Sequence, residues 1–211
     1  MKENLIKNEK INLTAITNEK EFWIKHILDS LSCIDSIEFK ESYSIVDIGT
    51  GAGFPGIPLA ILFPEKEFVL VDSLRKRLNV IKEVTDKLEI KNVKILHARA
   101  EDIGKNEIYR EKFDLCVSRA VASLDVLAEW CMPLVKKGGT FISYKGEKAG
   151  EEIKTAKNAI KILGGKVNRI EKPEFMHQDT SEHVLIYISK VRNTPRRFPR
   201  KAGEAKKNPI T

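Results

Sequence analysis

From Tyr43 to Leu163 short apolar runs alternate with amphipathic segments, and no other feature of this 211-residue chain restricts its fold so strongly. Tyr43–Ile48, Phe68–Val71, Val93–His97, Phe113–Ser118 and Thr140–Tyr144 read as strands. Pro55–Phe63, Leu74–Leu88, Leu124–Val135 and Glu151–Leu163 read as helices between or after them. Strands that alternate with helices can bury both sheet faces only if the strands run mostly parallel. After Gly164-Gly165 the pattern changes to two β-rich runs, Lys166–Ile170 and Val184–Ile188, with no helical pattern between them. The sheet is therefore expected to close with an antiparallel strand. Upstream, Trp23, Ile24, Ile27, Leu28, Leu31 and Ile34 fall on one helix face over residues 19–34, with Asn18 and Glu21 spaced as a capping box. The expected organisation is an N-terminal helical extension (1–41), an α/β core (42–190) and a basic C-terminal tail (191–211).

The hydrophobic fraction of 42% supplies a core for one such domain, and 32% charged residues point to a soluble one. No apolar run approaches the roughly 20 residues that a membrane span needs, and Met1–Lys10 lacks a signal-peptide core. A cytoplasmic monomer that makes no membrane contact is expected. Cys33, Cys116 and Cys131 are odd in number and form no Cys-x-x-Cys pair, so they read as reduced, buried thiols, with no metal site. The net charge of +7 is concentrated at one end: Val191–Thr211 holds seven basic residues and one acid. That cluster is either a solubilising end or a polyanion contact, since clustered Lys and Arg gain by releasing phosphate counterions.

The chemistry centres on Asp47-Ile-Gly49-Thr-Gly51-Ala-Gly53-Phe54-Pro-Gly56. Counted from Gly51 it is a dinucleotide fingerprint; counted from Asp47 it is the first turn of an S-adenosylmethionine site. Both need an acid for the ribose about 20 residues on, and Asp72 supplies it, with a cap on the following helix as its other possible role. Three features separate the parses. Asp47 precedes the turn, where it would repel a pyrophosphate but suits the ammonium and sulfonium of a methionine moiety, directly or through water. Ala100-Glu101-Asp102 follows the third strand, where an adenine edge is met. The antiparallel finish departs from a dinucleotide domain. Together they favour S-adenosylmethionine and a class I, Rossmann-like methyltransferase fold.

The loop after the fourth strand restricts the acceptor. Ser118-Arg119-Ala120-Val121 has neither the amide or carboxylate nor the aromatic plate used to clamp an exocyclic base amine. Methylation at pyrimidine C5 needs a presented Cys nucleophile, whereas Cys116 lies within a predicted strand and Cys131 within a predicted helix. Among bases, a ring nitrogen with its own lone pair remains. Guanine N7 is such an atom and needs no general base, only alignment. Arg119, at the carboxyl edge of the sheet, is a candidate to hold the cofactor or to position the target nucleotide.

Beyond these, Asn12-Leu-Thr14, His26-Ile-Leu-Asp-Ser30, Asp72-Ser-Leu74 with Lys76-Arg77, Tyr144-Lys-Gly146 and Pro199-Arg-Lys-Ala-Gly203 occur together. The set resembles the small-subunit ribosomal RNA guanine-N7 methyltransferases, the glucose-inhibited division protein B family, over nearly the whole chain. The resemblance implies transfer of a methyl group from S-adenosylmethionine to one guanine N7 of 16S ribosomal RNA, presented as RNA or as a ribosomal particle. It implies cofactor contacts at Gly49, Gly51, Gly53, Phe54, Asp72, Ala100, Glu101 and Arg119. RNA contacts are expected at Lys145, Arg196, Arg197, Arg200 and Lys201. Two departures from the family stand out: Gly203 is followed by Glu204-Ala-Lys-Lys207 rather than Thr/Ser-Pro-x-Lys, and Glu182-His183 stands where many members carry Arg. A methyltransferase of another substrate and a non-catalytic RNA-binding assembly factor are the alternatives.

Overall fold

The structure is a computed structural model, and it describes residues 23–173 and 183–210, without the side chain of Lys25. The Asn12-Leu-Thr14 motif, the Asn18/Glu21 capping box and Glu182 lie outside the described residues. A π-helical turn, Trp23–Leu28, leads into α1 (Asp29–Leu31) and α2 (Ile37–Lys40). The core then runs β1 (Ser44–Ile48), α3 (Gly56–Leu62), β2 (Glu67–Asp72), α4 (Arg75–Lys87), β3 (Val93–His97) and α5 (Ala100–Lys105). It continues with β4 (Phe113–Arg119), α6 (Leu124–Cys131), β5 (Val135–Lys145), α7 (Ala149–Ile162), β6 (Gly165–Glu171), β7 (Val184–Lys190) and α8 (Glu204–Lys207).

The seven strands form one sheet in the order β3-β2-β1-β4-β5-β7-β6. The pairs from β3 through β5 are parallel, and β7 is inserted antiparallel to both β5 and β6. The chain reverses its direction across the sheet between β1 and β4, and such a switch point opens a crevice at the carboxyl ends of those two strands. That crevice lies beside Gly49 and Arg119. Strand alternation sorts the core into two layers. Val46 and Ile48 face α6 and α7 with Leu127 and Ile160, whereas Ile45 faces the other side with Leu59 and Leu70.

Several expected elements differ in extent, among them the strand expected over Thr140–Tyr144, which runs Val135–Lys145. The helix expected over Leu124–Val135 stops at Cys131, and Val135 already opens β5. Pro133 accounts for the change, because it lacks an N–H and its ring collides with the preceding turn of a helix. The helix expected over residues 19–34 is, among the described residues, a π-helical turn followed by a single α-turn.

The tail is packed rather than extended. Phe198 and Ala205 are buried in the larger core layer, and the buried Arg110 donates to the carbonyls of Thr194 (2.8 Å) and Phe198 (2.7 Å). Lys190, fully buried, bonds Met132 O, Thr194 Oγ1 and Glu111, and burial lowers its pKa to about 8 against the pull of Glu111.

Candidate active site

The glycine loop is held from below. Gly49 and Thr50 donate from their backbone N–H groups to Val71 O at 2.9 and 3.0 Å, which ties the loop to the neighbouring strand. Asp47 shares the sheet face of Ile45, and its carboxylate is fully buried under the N-terminus of α3. There Oδ2 accepts from Thr50 Oγ1 (2.7 Å) and Gly56 N (3.0 Å). Burial pushes its pKa up to about 6, opposed by those two bonds and by Arg119. Asp47 lines neither cavity described below, and its carboxylate acts as a clasp that shapes the loop. Alternation along β1 already implied this inward direction.

Gly49 (φ +71°) and Gly53 (φ +95°) use backbone conformations that side chains avoid. A Cβ on Gly49 would stand 2.6 Å from Val121 Cγ2, so this loop lies flush against the loop after β4. Asp72, also buried, completes the cradle: Oδ2 accepts from Gly51 N (3.0 Å) and faces Arg77 at 3.6 Å, while Oδ1 accepts from Leu74 N (2.8 Å). Asp72 thus holds the turn that leads into α4 without capping that helix, beside its place at a cavity wall.

Two cavities open on the two sides of the Gly49 loop. The first, of about 380 Å³, is lined by Asp72, Ala100, Glu101, Trp130, Gly203 and Lys206 among others. The second, of about 540 Å³, is lined by Gly51, Phe54, Arg119, Tyr144, Lys145 and His183, together with His26 and Asp29. Gly49, Arg77 and Ala120 belong to both. Ala120 adopts a left-handed φ of +54°, an unfavourable conformation for a residue with a Cβ, at the point where the cavities meet. Of the eight expected cofactor residues, Gly53 alone lines neither cavity; its position is fixed by Ile57 beneath it.

In the second cavity Arg119 sits in a frame. Its guanidinium donates to Asp29 Oδ2 (2.7 Å), lies 2.9 Å from His26 Nδ1 and stands 5.3 Å over the Phe54 ring. Phe54 in turn stacks on His26 with centroids 4.9 Å apart. His183 Nδ1 reaches Asp29 Oδ1 at 3.3 Å, and the Tyr144 hydroxyl donates to Ser30 O at 2.9 Å. Burial disfavours the Asp29 carboxylate, but His183 and Arg119 outweigh it and hold the pKa below the ordinary value. Sequence reading assigned no role to His26 or Asp29. Their partner Arg119 lies 90 positions away from Asp29, so no local pattern in the sequence pairs them.

The residues expected to meet RNA divide in two. Lys145 is turned inward, donating to Ala122 O and to Glu152, both at 2.6 Å. Arg200 pairs with the buried Glu129 at 2.6 Å, and its backbone N–H also bonds that carboxylate at 2.8 Å. Lys145 is thereby tied to a half-buried carboxylate and Arg200 to a fully buried one, which needs a cation. Arg196, Arg197 and Lys201 are exposed, with Arg196 paired to Glu107 on the surface. Cys33, Cys116 and Cys131 are free thiols and fully buried.

A glycine cradle at the switch point, buried acids after β2 and β3, and an antiparallel strand beside β5 define a class I S-adenosylmethionine-dependent methyltransferase. The cradle fits that cofactor: side-chain-free Gly49 admits close approach, and the acids offer only acceptors toward hydroxyl and amine donors. Solved structures share this fold. Ribosomal protein L11 methylase from Lactobacillus delbrueckii subsp. bulgaricus superposes with a TM-score of 0.58 at 16% identity, covering 78% of this chain and 77% of its own. TYW2 from M. jannaschii in complex with AdoMet gives 0.58 at 18% identity, covering 77% and 74%. Within the class, the family model for rRNA small subunit methyltransferase G matches residues 3–182. The ribosomal RNA small subunit methyltransferase G of Alkaliphilus metalliredigens is 50% identical over 203 residues, 96% of this chain and 84% of that protein. The chain belongs to the small-subunit ribosomal RNA methyltransferase G family, enzymes that use S-adenosylmethionine to methylate small-subunit rRNA.

Proposed function

We propose that this chain methylates N7 of one guanine in 16S ribosomal RNA, with adenosine in the first cavity and the target base in the second. The observation that carries the reading is the meeting of the two cavities at Gly49 and Ala120, which puts donor and acceptor on either side of one loop. Bound S-adenosylmethionine supplies an electrophilic methyl group. Asp72 is placed to accept from the ribose hydroxyls, and Glu101 from the adenine amine. Phe54, Arg119 and His26 form a stack of planar groups beside the loop, suited to fix the plane of a base. Asp29 anchors that stack. N7 of guanine is unprotonated at neutral pH, so no side chain has to remove a proton and alignment carries the rate. The full burial of Cys116 and Cys131 argues against a thiol adding to a pyrimidine.

The exposed Arg196, Arg197 and Lys201 form the RNA-facing edge of the tail in a cytoplasmic, monomeric enzyme. Replacing Arg197 or Lys201 by Ala is expected to weaken RNA binding a few-fold. Each substitution should also lower the slope of log affinity against log salt by about 0.7–0.9. Unchanged slopes in filter-binding titrations would remove the tail from the RNA surface. The function itself is tested with labelled S-adenosylmethionine and small subunits, or their naked RNA, that lack the modification. Nucleoside mass spectrometry should find 7-methylguanosine; its absence with both substrates refutes the reading.

A further inference from the structure

The C-terminal segment reaches the cofactor side of the molecule by an unbroken set of buried anchors. Arg110 donates to Phe198 O and to Gly104 O, both at 2.7 Å, which joins the segment to α5, the helix that carries Glu101. A Cβ on Gly104 would stand 2.9 Å from Pro199 Cγ, so the proline ring packs directly on the Gly104 backbone. Beyond these anchors Gly203 donates its backbone N–H to Glu101 Oε1 at 2.9 Å. Lys206, on α8, lies 5.2 Å from the Trp130 ring centroid, and both Gly203 and Lys206 line the 380 Å³ cavity.

We propose that Gly203–Lys206 is a wall of the cofactor cavity and that the Lys206 ammonium donates a hydrogen bond to an acceptor atom of the bound adenosine. The proposal rests on the reading of that cavity as the adenosine site. Adenosine presents ring nitrogens and ribose oxygens that accept, whereas Asp72 and Glu101 as carboxylates can only accept. An ammonium on a flexible stem at the cavity rim supplies donors that the acids lack, and the indole face beneath it favours its residence there. Gly203 contributes differently: its N–H takes one Glu101 oxygen and fixes the direction of the other. Neither residue belongs to the glycine loop or to the acids that mark the site in sequence.

Calorimetric titration of S-adenosylmethionine into the full chain tests this. Lys206→Met, which keeps the apolar stem, is expected to bind about tenfold more weakly. Lys206→Arg should retain most of the affinity. Lys207→Met makes the same change in net charge at a residue that does not line the cavity, and should bind like the parent. The thermal midpoint of the cofactor-free Lys206→Met variant should match the parent's, as expected for an exposed side chain. Parental affinity in Lys206→Met, or an equal loss in Lys207→Met, overturns the proposal. Asp72→Ala separates the two layers of the argument. If it weakens binding while Lys206→Met does not, only the wall is wrong. If it does not, the adenosine site lies elsewhere and the wall falls with it.

Discussion

The two cavities that flank the Gly49 loop are built by different means. The first is shaped by backbone: glycines in left-handed conformations, N–H groups bonded to Val71 O, and acids at the ends of adjacent parallel strands. Its parts come from short stretches, and each stretch has a recognisable pattern. The second shares the Gly49–Ala52 loop and adds side chains that converge from the N-terminal turn, β4, β5 and the residue before β7. Backbone construction suits a ligand that never changes, because it fixes position at the level of the fold. Side-chain construction gives planar and charged groups for an acceptor, at the cost of depending on every member of the frame.

That contrast can be broken at three points. The largest effect is expected at Asp47. Its pKa rises from 3.8 to about 6 on folding, so between those values the native state holds a proton that the unfolded chain has released. Its contribution to stability is therefore full below pH 4 and is lost as pH rises through 6, a swing of about 3 kcal/mol. Asp47→Asn keeps an acceptor for Thr50 and Gly56, and denaturant midpoints across pH 4–7 should lose that slope. A slope that persists would mean the loop is not clasped by a strained carboxyl. Next comes Gly49→Ala. A left-handed Ala and a displaced Val121 together cost about 2 kcal/mol, and the loop is expected to relax out of its cradle. Cofactor affinity should fall about 30-fold by calorimetry; an unchanged value would deny that backbone shape defines the first cavity. The smallest effect is expected from Asp29→Asn, which removes the Asp29 carboxylate from the Arg119 guanidinium. Single-turnover methyl transfer should slow about tenfold, with cofactor affinity within about twofold of the parent. Equal losses in both measurements would merge the two cavities into one functional unit.

The same contrast explains what could be read before the structure was known. Strands β1 through β5 and the antiparallel finish were legible because strand and helix periods differ and because each element is local. That Asp72, Ala100 and Glu101 line one cavity was legible because that cavity is assembled at strand ends, where position in the pattern is position in space. The frame around Arg119 was not, since nothing in the local sequence of His26 or Asp29 announces a partner some 90 residues away. Lys145 and Arg200 likewise have partners that the local sequence does not announce. A lysine or arginine looks solvated in sequence until the half-buried Glu152 or the buried Glu129 that pairs with it is found in space. Asp47 carried a local signal, its alternation with Val46 and Ile48, and the chemistry of the turn drew attention away from it.

The reversed direction of β7 has one more consequence. Val184, its first residue, pairs with Lys145, the last residue of β5, so the strand begins at the mouth of the site and His183 is delivered directly to Asp29. A parallel β7 would start at the opposite rim, roughly 20 Å away for seven residues, and its leading residue could not take part. Turning a single strand around thus lets the last stretch of the sheet feed a side chain to the rim of the second cavity without another crossover helix.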